Sequence, residues 1–418
     1  MNTELLCGKE TVKLNLPDSV VQLDMAPAAV LPDPDAVVYE ALLNPIESPP
    51  LHELARSRKN ACIVISDITR PVPNKIILPP LLKTLEESGI KRENITILIA
   101  TGMHRPNLGE ELASMVGQHI MSNYKIVNHD CRDSNDYHKV AEFEGAPIEI
   151  NRHYLDADLK ILTGLIEPHF YAGYSGGRKS ILPGISSYET MKFMHSFKII
   201  DQLKDANCNL NNNVFHDYGM QVSKLVGVDF ILNVVLNKKR KITGLFAGHY
   251  HHAHMAGCKM VYQQAVVHLE QKADLVITSA GGYPLDTTFY QVSKCLTSAK
   301  EMLNKGGTIV VVCGCQEGLG SDTFSEIMRS METPAKFFRH HRDPKNFVID
   351  QWCAQNIFQA LDHSGKIYVY SPGLSVKDLN RIGIVKIDNV QAIINKLLPY
   401  HTNIFAVPDG PYVVGKVR

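Results

Sequence analysis

The sequence predicts an α/β fold: two α/β domains with mainly parallel sheets and an active site in the interdomain cleft. Three observations carry this expectation. Short apolar, β-branched runs alternate with helix-period segments along nearly the whole chain. Several of those runs are continuously apolar, the pattern of strands covered by helices on both faces. Many of them end in a polar or glycine-rich loop, which is where open α/β sheets bind ligands.

The strand candidates, in order, are 61–67, 95–102, 159–166, 230–237, 274–282, 307–314 and 366–373. Helix patterns lie between them at about 74–88, 187–204, 253–272, 289–304, 321–332 and 389–400. The stretch 29–37, AVLPDPDAV, reads as a proline-bound connector. A domain break is expected near 266–273, where a long helix pattern feeds a new βαβ series. This gives an N-terminal domain over 1–268 and a C-terminal domain over 269–418. At 418 residues the chain is too long for one ordinary core, which agrees with two or three domains.

Composition narrows the classes. Hydrophobic residues are 44% and charged residues 21%, ordinary globular values. Lys+Arg and Asp+Glu both number 43, so no basic face points to nucleic acid. The most basic run, Lys238–Lys241, is short and reads as a solvated hairpin turn. Nine cysteines, scattered except for Cys313-Gly314-Cys315, suggest a reducing compartment without a disulfide framework. The first residues, MNTELLCGKETVKLNLP, lack a basic segment followed by a long apolar one, and no run approaches the ~20 residues of a membrane span. A cytoplasmic protein with no membrane partner is expected.

The strand-end loops hold the chemistry-bearing residues. Gly173–Ser180, GYSGGRKS, is nearly a phosphate-binding P-loop, but Arg178 stands where the second glycine belongs. Its glycines would still let backbone N–H groups approach an anion. SDITRP follows the strand at 61–67; Asp67 and Arg70 are a structural pair or an anion contact, since arginine's planar fork suits carboxylate and phosphate. ATGMHRP places His104 just beyond a glycine turn, and GLIEPHF places His169 after another strand. Two such histidines suit opposed acid–base roles, because imidazole titrates near neutrality. His195 falls in a helix-like segment, where a lone histidine is more often a packing residue. Gln291 and Lys294 share a helix face near its N-terminus, which suits either a carboxylate clamp or an amphipathic helix with a solvated lysine, the latter slightly favoured in isolation. The cluster HYHHAH (249–254) matches no common zinc spacing and reads as a surface loop entering a helix. GCQEGLGS (314–321) is another glycine-rich loop whose backbone would suit an anion.

SDITRP, TGMHRP, EPHFYAGYSGGRKSILPGISS, MHSF and YQVSK occur in one order over roughly residues 60–300. Together they resemble the nickel-dependent lactate racemase family. The EPHF…GGRKSILPG block is the most specific; the NNNVFHD segment (211–217) is the one place that loosens the pattern. The resemblance implies a nickel-pincer pyridinium mononucleotide joined covalently to Lys179, with His195 as a nickel ligand. Imidazole and sulfur donors in a planar array suit nickel(II). It also implies cofactor contacts from Asp67, Ile68, Thr69 and Arg70, acid–base roles for His104 and His169, and carboxylate anchoring by Gln291 and Lys294. The implied reaction is racemisation of a 2-hydroxy acid, lactate by default, through hydride transfer and a flat 2-keto acid. Cofactor-making enzymes would then be needed for loading. Malate, an aliphatic or aryl hydroxy acid, or a sugar acid would share the anchors, with Tyr171, Tyr174, Phe193 and Trp352 as candidate pocket walls. A non-catalytic phosphate- or nucleotide-binding protein built on the two glycine loops is the alternative of another class.

Overall fold

ACIVIS, at Ala61–Ser66, buries five of its six residues and so needs a strand on each side and cover on each face. In the computed structural model, which describes Met1–Arg418, it has both. Ile95–Ala100 pairs with it on one side and Leu159–Leu165 on the other, both parallel. The full sheet runs Ile242–Gly248, Phe230–Leu236, Leu159–Leu165, Ala61–Ser66, Ile95–Ala100, Lys125–Asn128. Only Ile242–Gly248 is antiparallel, because it returns from Phe230–Leu236 through the exposed KKRK turn. The core of this unit is aliphatic: Ile63, Ile65, Ile97, Ile161 and Leu232 from the strands meet Ile77, Leu81 and Leu85 of the helix Asn74–Glu87. This unit comprises Pro27–His195 and Cys208–Gln264.

The other unit comprises Met1–Ala26, Ser196–Asn207 and Ala265–Arg418. Its sheet is entirely parallel, in the order Val385–Ile387, Lys366–Tyr370, Leu303–Val312, Ala273–Ser279, Ile404–Val407, Val20–Gln22. The expected mainly parallel α/β architecture is what the structure has.

All seven expected strands form, and four local differences have physical causes. A single cut at 268/269 does not describe the chain, because the first 26 residues group with the later unit. Val20–Gln22 pairs with Ile404–Val407 at the sheet edge, and the hairpin of Asn2–Cys7 and Glu10–Asn15 buries Leu5 and Leu14 in that unit's core. The helix expected over 253–272 ends at Ala265, where Val266–Leu269 becomes a strand paired with Val414–Val417. The proline-bound connector gives way at Pro34 to a helix, Pro34–Leu43, whose first turn is capped by the Asp33 carboxylate. The helix expected over 187–204 breaks at His195: Tyr188–Met194 ends there, and the Ser196 hydroxyl caps a new helix, Phe197–Asp201.

Leu5 is fully buried among Leu275, Ile277 and Val310. Leu5→Ala should destabilise its unit by about 3 kcal/mol. The only tryptophan, Trp352, lies in the same unit, so its fluorescence in a urea titration reads the change. An unshifted transition would contradict this placement of the N-terminal hairpin.

Candidate functional site

Three neighbouring parallel strands end on one edge of the sheet. The register sets Ser66 opposite Ala100 and Val64 opposite Leu162, so the chain leaves all three strands at similar height. Asp67-Ile68-Thr69-Arg70 leaves the middle strand, His104 follows the second, and Glu167-Pro168-His169 follows the third. This is the carboxyl edge where α/β sheets place their ligands.

Asp67 does not pair with Arg70. Its Oδ2 lies 2.6 Å from His104 Nδ1, and its Oδ1 accepts from the Thr69 hydroxyl at 2.6 Å. Asp67 is only 4% exposed. Burial alone would push its carboxyl up, but the hydrogen bond and charge of His104, with Thr69 and Arg70, hold it below the usual value. Arg70 instead forms a tight ion pair with Glu167, so the acid directly before Pro168-His169 is tied to the loop after the middle strand. Glu167 was not singled out from sequence, because nothing local marks a partner 97 residues away.

His169 is held by a miniature hairpin in which Pro168–His169 pairs with Gly173–Tyr174. The backbone N–H groups of Tyr171 and Ala172 both donate to His169 Nδ1, at 3.1 and 3.2 Å. Phe170 stacks on the imidazole with centroids 5.1 Å apart and planes 7° from parallel. Gly173 is needed at the hairpin corner: its φ is +75°, and a Cβ there would lie 2.5 Å from the Asn209 carbonyl oxygen.

Three amides of the GYSGGRKS loop bond within the protein. Ser175 N donates to Glu167 O, Gly177 N to Asn233 Oδ1 and Lys179 N to Gly176 O. Its glycines serve internal packing, since a Cβ on Gly177 would lie 2.8 Å from the His254 ring. Arg178 turns inward and is 2% exposed, donating through Nη2 to Ala172 O at 2.5 Å. Burial lowers its pKa to about 10. His254 beneath the loop is buried as well, against the expected surface cluster, and lies 2.9 Å from Ser175 O. With Arg178 committed inward, the half-buried Lys179 is the next side chain on a short helical turn, Gly177–Ser180. Gly184 fastens that turn to the His104 loop: it donates to Lys179 O at 3.1 Å and accepts from Gly102 N at 3.0 Å.

His195 ends the helix Tyr188–Met194 as its C-cap. Its Nδ1 lies 3.0 Å from Met191 O, and a carbonyl only accepts, so Nδ1 carries the proton and Nε2 keeps its lone pair. Burial lowers its pKa to about 4, opposed by the Met191 carbonyl and reinforced by the Lys179 charge. Tyr171 and Phe215 stand edge-on to the ring, at 6.2 and 5.6 Å. Of the other candidate walls, Tyr174 donates its hydroxyl to Cys208 O, and Phe193 leans on Tyr218.

In the other unit, Gln291 and Lys294 lie in the first turns of the helix Phe289–Met302. Both are half-buried, and Gln291 Oε1 has no hydrogen-bond partner. Trp352 Nε1 donates to the Tyr290 hydroxyl at 3.0 Å. The GCQEGLGS loop already holds an anion of its own: Gly314 N and Gly8 N donate to the fully buried Asp286 carboxylate at 2.7 and 2.8 Å. Within the loop, Cys315 N, Glu317 N and Gly318 N donate to the carbonyls of Asp286, Thr287 and Cys315.

The structure thus gathers Asp67, Thr69, Arg70, His104, Glu167 and His169 at one sheet edge, and ties the Lys179 turn to that edge through Gly184. Two family models match the chain: lactate racemase N-terminal domain over residues 7–207 and lactate racemase C-terminal domain over 268–414. The lactate racemase of Thermoanaerobacterium thermosaccharolyticum is 35% identical, with 99% of each chain covered. That of Lactiplantibacillus plantarum is 40% identical, over 79% of this chain and 78% of the relative. The solved lactate racemase apoprotein from T. thermosaccharolyticum superposes with a TM-score of 0.92 at 33% identity, covering all of both chains. A Thermotoga maritima protein shares the fold at a TM-score of 0.67 and 18% identity, covering 94% of this chain and 100% of its own.

Buried histidines of this unit, His129 and His254 among them, make its stability depend on pH. Burial lowers His129 to about 4 and His254 to about 3, against 6.5 for a free imidazole. The folded state therefore favours the neutral rings. Their stabilisation is complete above pH 6.5 and is lost as pH falls toward 4, by up to about 3 kcal/mol for a shift of this size. Thermal midpoints between pH 7.5 and 4.5 should fall, and fall less steeply in His254→Gln. Equal slopes in both proteins would contradict the assignment.

Proposed function

The chain belongs to the lactate racemase family, and we propose that it interconverts the enantiomers of a 2-hydroxy acid, lactate by default. His104 and His169 are the paired acid–base groups, and a nickel-pincer pyridinium nucleotide is the cofactor. The observation that carries the reading is the common sheet edge that presents both imidazoles, each held through its Nδ1.

The residues fit the cofactor. A metal-binding imidazole must be neutral, with its second nitrogen donating to a fixed acceptor. His195 meets both conditions, with Nε2 as the ligand atom. Lys179 is half-buried, near enough for its charge to act on His195, and is the amine that anchors the nucleotide. Ile68 is 41% exposed at the strand end, an apolar side chain suited to lie against a ring. When bound, the cofactor supplies a pyridinium carbon that takes up and returns the substrate's α-hydride.

The chain's own part is proton handling and orientation. One imidazole removes the hydroxyl proton of one enantiomer, and the other serves the mirror-image substrate. Gln291, through its amide N–H, and Lys294 hold the carboxylate; the orphaned Gln291 Oε1 is an acceptor, which suits a substrate hydroxyl rather than the carboxylate. Arg70 is occupied by Glu167, so its role is to fix the loop that presents Ile68. Loading requires the cofactor-making enzymes. All nine cysteines are free, which supports a reducing, cytoplasmic setting; no helix is long and apolar enough to cross a membrane.

With cofactor-loaded protein, His104→Ala and His169→Ala should each lose at least about 10²-fold in racemisation, the size of one general acid–base step. Near wild-type turnover in both would refute the assignment. A panel of enantiopure lactate, malate, aryl and sugar 2-hydroxy acids, followed by optical rotation, should show racemisation fastest with lactate. Faster turnover of another acid would reassign the substrate while leaving the reaction class intact.

A further inference from the structure

The two acid–base histidines are held in opposite ways, and we infer that they are fixed in opposite tautomers, with Asp67 as the positioning residue that sets His104. The inference rests on the racemase reading for its meaning but not for its geometry.

His104 Nδ1 lies 2.6 Å from Asp67 Oδ2. Asp67 is held ionised by that contact, by Thr69 and by Arg70, so it can only accept. The hydrogen between the two atoms therefore belongs to His104 Nδ1. Neutral His104 has its lone pair on Nε2, and this ring is 55% exposed. A proton moving from a substrate hydroxyl to Nε2 would break the O–H bond, form an N–H bond, and leave an imidazolium still bonded to the Asp67 carboxylate. His104 is set as a base.

His169 is set the other way. Two backbone N–H groups, from Tyr171 and Ala172, point at its Nδ1. Peptide N–H groups only donate, so Nδ1 must be the acceptor and the ring proton must be on Nε2. A proton on Nδ1 would face both amide hydrogens in a site that is 8% exposed. In this conformation His169 offers an N–H donor at Nε2, suited to a hydroxyl or keto oxygen. To act as a base, its ring must turn over or release the two amides. The pair is thus one acceptor and one donor at rest, although the reaction it serves is symmetric.

The ratio kcat/KM cannot reveal this asymmetry. The equilibrium constant between enantiomers is one, so kcat/KM is equal in both directions whatever the tautomers are. The test is spectroscopic and uses the full chain prepared without cofactor. Long-range 1H–15N correlation of 15N-histidine-labelled protein above pH 7.5 distinguishes protonated from unprotonated ring nitrogens. His104→Gln and His169→Gln assign the signals by their loss. The expected result is a protonated Nδ1 and bare Nε2 for His104, with the reverse for His169. In Asp67→Ala, the His104 signals should shift toward the Nε2–H form while those of His169 stay in place, and Asp67→Glu should restore the original pattern. The same tautomer for both rings in the unsubstituted chain would overturn the proposal even if Asp67→Ala fails to fold. So would an unmoved His104 in folded Asp67→Ala. Neither result would bear on whether the loaded enzyme racemises.

Discussion

The parallel alignment of Leu159–Leu165, Ala61–Ser66 and Ile95–Ala100 is the constraint on which the site depends. Parallel strands cannot be joined by tight hairpins, so each must return through a crossover, and their carboxyl ends collect on one edge. The segments that follow are far apart in sequence, yet they arrive as neighbours: Asp67 bonds His104, and Arg70 bonds Glu167. The strands themselves are almost wholly buried. The core that stabilises this unit is therefore also what fixes the spacing of its reactive side chains, and few of those side chains need flexible loops to meet.

Above that frame, the polar groups at the edge are mostly committed to one another. Asp67 orients an imidazole, Glu167 holds an arginine, and the amides of Tyr171 and Ala172 hold a second imidazole. Met191 O fixes the ring of His195. Each of the three histidines is thereby left with a defined Nε2. Arg178 contributes by turning away: a buried guanidinium bonded to a carbonyl stiffens the turn whose next residue is Lys179. The same habit recurs in the other unit, where the Asp286 carboxylate accepts from Gly314 N of the glycine-rich loop and from Gly8 N of the N-terminal hairpin turn.

Much of this was legible in the sequence because it is local. Continuous apolar runs marked the strands, and their polar ends marked Asp67, His104 and His169. What sequence could not supply is pairing across long separations. The three-residue strand Val20–Gln22 carries no pattern strong enough to announce its partner at Ile404–Val407. Glu167 and Arg70 look like any surface acid and base until the register brings them together. The glycines of GYSGGRKS signalled close approach correctly, and their near neighbours include Asn209, Asn233 and His254, which lie far away in sequence. The break at His195 was missed because apolar periodicity runs through it, although Ser196 has the chemistry of a helix cap.

The proposed racemisation depends on Lys179 anchoring a nickel-bearing nucleotide beside His195. The most direct measurement is the intact mass and nickel content of the chain after co-expression with the cofactor-making enzymes, with a Lys179→Ala chain prepared in parallel. The account predicts one covalent adduct and one nickel per wild-type chain, and no adduct in the variant. An unmodified, nickel-free wild-type chain, from cells that load a related racemase in the same experiment, would contradict it.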